Sequence, residues 1–134
     1  MQLINYLDKF PGDRECVRYF RELREIKGVE CSHCGSKHHV WNEQLFGFSC
    51  LECGNFTALR KGTVMEDSPL PLKYWFLCIY LLTFPDKPYS IEEVRAKLDY
   101  LGEEAIDIML EKLAALMSVS VNPHNFDILL YQCT

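Results

Sequence analysis

Cys31-Ser32-His33-Cys34-Gly35 and Cys50-Leu51-Glu52-Cys53-Gly54 decide the reading of this chain: two C-x2-C turns, each followed by glycine, with 15 residues between them. That spacing falls in the range of zinc sites. Two cysteines three apart on a tight turn aim both thiolates at one ion, and a second such turn completes a tetrahedron at Zn–S of about 2.3 Å. Four protein ligands leave no open position, so a single Zn2+ held by Cys31, Cys34, Cys50 and Cys53 is expected to be structural. Gly35 and Gly54 suit a knuckle whose next residue needs positive φ. A thioredoxin-like redox pair is disfavoured because no βαβ pattern surrounds either turn.

Between and after the knuckles the chemistry turns to short β-rich runs, His39 to Asn42, Leu45 to Ser49 and Asn55 to Leu59. Two knuckles carrying a small three-stranded antiparallel sheet over residues 31–62 make a zinc ribbon, a unit too small to hold together by apolar burial alone. His33, His38 and His39 lie near the ligands and could replace a cysteine, but the cysteine set is already complete. They read as exposed turn and strand residues.

Working outward, residues 1–30 form an N-terminal helical segment. Pro11-Gly12-Asp13 starts a helix that places Cys16, Val17, Tyr19, Phe20, Leu23 and Ile26 on one face. Arg14, Arg18 and Arg21 fall opposite, where Glu22 and Glu25 can pair with Arg18 and Arg21. That face reads either as a solvated, salt-bridged surface or as a stripe touching phosphates. Downstream, residues 63–117 read as a three-helix bundle. Leu70-Pro71-Leu72 opens a buried helix ending at Leu82, Ser90-Ile91-Glu92-Glu93 is a capping box for a short helix, and Glu103 to Met117 forms a longer one. A short helix, a Gly102-containing turn and a longer helix outline a helix-turn-helix. The tail, 118–134, reads as a β-hairpin around Asn122-Pro123-His124-Asn125. The expected class is α+β.

The charge balance is 14 Lys+Arg against 19 Asp+Glu, a net charge of -5, and 49% of the residues are hydrophobic. A disordered tail and a broadly basic nucleic-acid binder are both excluded. Residues 1–75 hold 10 basic and 10 acidic residues and residues 76–134 hold 4 and 9, so any contact with double-stranded DNA must be local and N-terminal. Its candidates are Arg14, Arg18, Arg21, Lys37, Arg60 and Lys61. The N-terminus has no secretory signal pattern and the greasiest run, Tyr74 to Phe84, is too short to span a bilayer, so a cytoplasmic protein with no membrane association is expected.

Phe10-Pro11, Glu22-Leu23-Arg24, the Cys31 knuckle through Ser36, the second knuckle with Phe56-Thr57, Lys61-Gly62-Thr63-Val64 and the run Leu70 to Leu82 together resemble the zinc-ribbon N-terminal region of bacterial insertion-sequence transposases. The resemblance extends over roughly residues 10 to 117. It implies a zinc ribbon and helix-turn-helix that bind transposon ends, with catalysis by a separate ribonuclease H-like domain. Two departures follow. Residues 118–134 offer only Asp127 as a carboxylate, so a non-catalytic protein is expected, whether stand-alone or a fragment of a full transposase. The would-be recognition helix is acidic, with Glu103, Glu104, Asp107 and Glu111 on the face opposite its apolar stripe, where a polyanion is repelled. DNA binding leads. The alternative is a protein-interaction adaptor whose acidic helix and C-terminal hairpin meet a protein partner or a second copy, with the ribbon as scaffold.

Overall fold

The structure, a computed structural model, describes residue 6 and residues 8–84, 86–98, 104–120 and 123–131. The order of elements is α1 (Asp13–Lys27), β1 (His39–Asn42), β2 (Gly47–Cys50), β3 (Phe56–Ala58), α2 (Leu72–Leu82), α3 (Ile91–Leu98), α4 (Glu104–Val119) and α5 (Phe126–Tyr131). The fold is α+β, as expected.

Helix α1 begins after Gly12, carries Asp13 and Glu15 in its first turn and Arg24 and Lys27 in its last, and so complements its own dipole at both ends. It stops at Gly28, whose φ of 95° needs glycine and whose amide donates to the Arg24 carbonyl at 2.9 Å. Cys16 and Phe20 are fully buried, with Val17, Tyr19 and Leu23 packed beside them. Ile26 does not join them. It is 84% exposed, because the last turn of α1 carries it round and past the end of the core.

Helix α2 is apolar on nearly every side and buries Leu72, Trp75, Phe76, Cys78, Ile79, Tyr80 and Leu82, which makes it the central helix. Helices α1, α3 and α5 each pack against it, and α4 packs on α3. Its start is fixed from a distance: Asp13 Oδ1 accepts the Lys73 amide at 2.9 Å. Cys16 and Cys78 are packing residues whose thiols burial pushes up to about 12. The capping box of α3 forms in both directions, with the Ser90 amide donating to Glu93 Oε1 and the Glu93 amide to Ser90 Oγ, each at 3.1 Å. The loop between α3 and α4, including Gly102, and the expected acidic residue Glu103 lie outside the described residues.

The expected C-terminal hairpin is a helix instead. Asn125, read as part of a turn, is an N-cap whose Oδ1 accepts the Ile128 amide at 2.9 Å. Leu129 and Leu130 are both fully buried, which adjacent residues of a one-sided strand cannot be. Tyr19 secures the helix by donating to Asp127 Oδ1 at 2.5 Å.

The sheet has the order β1-β2-β3, antiparallel throughout. Trp41, Phe48 and Thr57 form one cross-strand row, and Val40, Ser49 and Phe56 form the next. The first row faces the core, where Phe48 is 2% exposed, and the second faces outward, with Val40 51% exposed. Gly47 admits no side chain, since a Cβ there would stand 2.6 Å from the Thr57 carbonyl oxygen and against the Phe56 ring. No helix among the described residues is long and apolar enough to cross a membrane.

Candidate metal centre and the basic cleft beside it

The two knuckles are built alike. In the first, the Gly35 amide donates to the Cys31 carbonyl at 2.9 Å and the Cys31 amide to the Ser36 carbonyl at 2.8 Å. The second repeats these bonds at the same two lengths, Gly54 to Cys50 and Cys50 to Asn55. Gly35 and Gly54 have φ of 76° and 79°, left-handed values that allow each turn to close behind its second cysteine. The Leu51 amide donates to the His38 carbonyl at 2.9 Å and ties the second knuckle to the start of β1.

The four sulfurs converge. Cys31 lies 3.6 Å from Cys53 and Cys34 lies 3.6 Å from Cys50, and all four are within 4.8 Å of one another. A tetrahedron with arms of about 2.3 Å has edges of about 3.8 Å, so the donor set fits one zinc ion in both number and spacing. The His33 and Cys34 amides point at Cys31 Sγ at 3.4 and 3.5 Å. The Cys34 amide, joined by that of His33, holds the Cys31 thiol down at about 6, and the Cys53 amide lowers Cys50 in the same way. Each knuckle thus favours a thiolate at its first cysteine, and a bound dication would offset two of the charges of a four-thiolate set.

The histidines are not in the cluster. His33 is exposed, and His38 is exposed with its Nδ1 3.2 Å from Glu52 Oε1. His39 departs from the expectation of an exposed residue: it is half-buried, its ring stands edge-on to Phe48, and neither ring nitrogen has a hydrogen-bond partner. Its place opposite Cys50 in the β1–β2 register accounts for that enclosure.

The six candidate DNA-contacting cations divide into three groups. Arg14, Arg18 and Arg21 line a cleft of about 450 Å³ between α1 and the β1–β2 hairpin, with Trp41 and Phe46 on its other wall. Arg14 and Arg18 are exposed, and Arg21 is half-buried. The Arg21 guanidinium lies over the Trp41 ring at 4.8 Å and pairs with Glu25 at 3.1 Å. Arg60 and Lys61 line an adjoining depression of about 470 Å³ that shares Val17 and Phe46 with the first. Arg60 is partly withdrawn, donating to the Ser68 carbonyl at 3.1 Å, and burial lowers its pKa; Lys61 pairs with Glu66 at 3.2 Å. Lys37 is exposed in the loop before β1 and lines neither hollow.

The residue that joins these parts is Arg24. From the last turn of α1 it donates to the Lys61 carbonyl at 2.8 Å and to the Leu59 carbonyl, clamping the chain just after β3 against the helix. Sequence reading placed Arg24 only within a motif. Its partners lie 35 and 37 residues away, a separation that periodicity does not reach. On α4 the acidic face is partly explained: Asp107 pairs with Arg95 of α3 at 2.6 Å, while Glu104 and Glu111 are exposed.

No protein-family model and no solved structure matches the chain. An uncharacterized protein in transposable element ISH50 of Halobacterium salinarum is 27% identical to it over 93 residues. The match takes in 67% of this chain and 31% of that protein, so the chain spans about a third of its relative's length. The chain is thus similar to a transposable-element protein and carries a four-cysteine cluster able to hold a metal ion.

Proposed function

We propose that the chain is a transposase-like zinc-ribbon protein that binds double-stranded DNA through its N-terminal half. The four converging sulfurs carry this reading, because they supply a complete structural zinc set within a chain similar to a transposable-element protein. Zinc, when bound, supplies a tetrahedral cross-link that offsets part of the thiolate charge, and no reactive position. The chain's own residues do the rest. Cys31, Cys34, Cys50 and Cys53 hold the knuckles, Arg24 holds the ribbon on α1, and Arg14, Arg18 and Arg21 turn a row of guanidinium groups toward the cleft. Lys37, Arg60 and Lys61 flank it, with Arg60 chiefly shaping the wall.

With a net charge of -5 the long-range field opposes a polyanion, so binding is local, modest and salt-dependent. Two or three neutralised phosphates give a slope of about 2 to 3 in log K against log salt. The test is duplex binding by the zinc-loaded full chain and by an Arg14→Glu/Arg18→Glu variant. Loss of most of the affinity and a flatter salt slope are expected. An unchanged slope in a folded variant would remove α1 from the interface.

A further inference from the structure

One side chain in the lining of the basic cleft is not engaged as an aromatic ring. Phe46, at the end of the β1–β2 turn, is 52% exposed and sits at φ 52°, in the left-handed region that suits Gly or Asn and penalises a bulky side chain. No ring contact engages it among the described residues. Nor is the backbone loose there: Asn42 Oδ1 accepts the Gln44 and Leu45 amides, both at 3.1 Å, and the Phe46 carbonyl accepts the Leu59 amide at 3.1 Å. A strained, well-anchored turn holds a half-exposed aromatic ring in the lining of a cleft that Arg14 and Arg18 also line.

The other surroundings narrow what the cleft can take. Trp41 is occupied, with Arg21 over its ring, Phe48 edge-on at 5.3 Å and its Nε1 donating to Glu43 Oε2 at 2.5 Å. Three guanidinium groups and two carboxylates, Asp13 and Glu43, line the cleft, and the carboxylates each accept one hydrogen bond, from the Lys73 amide and from Trp41 Nε1. Arg14 and Arg18 have no hydrogen bond or ion pair among the described residues, so they are the cations free to meet an anion, and Phe46 is the free aromatic face. Phosphate meets the cations, and a flat π-system meets the ring. Inside a duplex the base faces are covered by their neighbours, and an aromatic side chain reaches one only where the stack is open.

We infer that the cleft takes an unpaired nucleotide at a DNA end, its base stacked on Phe46 and its flanking phosphates against Arg14 and Arg18. The inference rests on the DNA-binding reading and adds to it a preference for ends with an unpaired strand over blunt duplex. Strain at Phe46 fits this role, since a residue kept for folding alone would not be a half-exposed phenylalanine in a left-handed turn.

The experiment measures fluorescence anisotropy of the zinc-loaded full chain with labelled duplexes of one sequence, blunt or carrying a short single-stranded extension of either polarity. The extended duplex of one polarity is expected to bind about tenfold tighter than the blunt one, the scale of one base–aromatic stack. In Phe46→Gly the ratio is expected to fall toward one, and in Phe46→Trp it is expected to persist. Thermal melting checks that Phe46→Gly, freed of the left-handed side chain, stays folded. Should it not, Phe46→Leu retains apolar contact without a π-face and reads the same ratio. Equal affinity for blunt and extended DNA in the unaltered chain, or a ratio that survives loss of the ring, overturns the inference and leaves duplex binding standing. Failure to bind any of these DNAs overturns both.

Discussion

Arg24 shows how much of the site depends on single side chains that look ordinary in the sequence. A guanidinium shared between two carbonyls is a charge-assisted contact, and such bonds contribute about 1.5–3 kcal/mol where they are shielded. The bond to the Lys61 carbonyl is exposed, so the lower end applies, and Arg24→Ala is expected to cost about 1–2 kcal/mol in denaturant unfolding. Glu25→Ala, which loses only the i,i+4 pair to Arg21, should cost less than about 1 kcal/mol. Equal costs would contradict the clamp. Glu66 gives a pH signature. The Gly62 amide donates to its Oε2 at 2.7 Å and, with Lys61, holds its carboxyl below the usual range. A depressed folded pKa adds stability above the unfolded carboxylate range, and that stability is lost as pH falls through the folded value. Glu66→Gln should therefore be the less stable chain at neutral pH, with the gap in melting temperature closing under acid. A gap that widens toward low pH would refute the assignment.

The elements differ in how openly the sequence declares them. The knuckles, the Ser90–Glu93 box and α2 were legible because each rests on a short-range signal: C-x2-C-G, Ser three residues before Glu, or a proline before an apolar run. The three strands were legible within two residues at each end for the same reason. Helix α5 was not, because Asn122-Pro123-His124-Asn125 carries equal turn and cap chemistry, and the choice was made by tertiary burial of both Leu129 and Leu130. Ile26 failed similarly, since helical periodicity describes a face but not where the core ends. Helix α4 bears most directly on function. Asp107 is exposed but paired with Arg95, which leaves Glu104 and Glu111 as exposed carboxylates without an ion pair among the described residues, set to meet a phosphate backbone if this helix entered a groove. Glu104→Lys with Glu111→Lys is expected to leave duplex affinity unchanged or to raise it. A fall in sequence-specific binding by the folded variant would place α4 in the groove.

At the scale of the whole molecule, one buried cluster runs from Tyr6 to Leu130, and the ribbon contributes Phe48 and Leu59 to it. The ribbon is therefore anchored at one side by ordinary apolar burial and Arg24, and at the other by four sulfurs able to hold a metal ion. The charge split legible in the sequence placed the candidate contacts in the N-terminal half. It could not show that Arg14, Arg18 and Arg21 share a cleft with the hairpin while Arg60 turns inward, because those relations arise only when α1 docks on the ribbon. Structural zinc contributes on the order of 10–16 kcal/mol in small zinc-dependent peptides, so its removal should collapse the knuckles and with them the hairpin wall of the cleft. The most direct test is duplex binding at low salt before and after chelation, with zinc measured in each sample. About one zinc per chain, saturable binding that is lost on chelation and regained when zinc is restored, is the expected result. Duplex binding that is absent from the zinc-loaded chain, or unchanged once the metal is gone, would contradict the account.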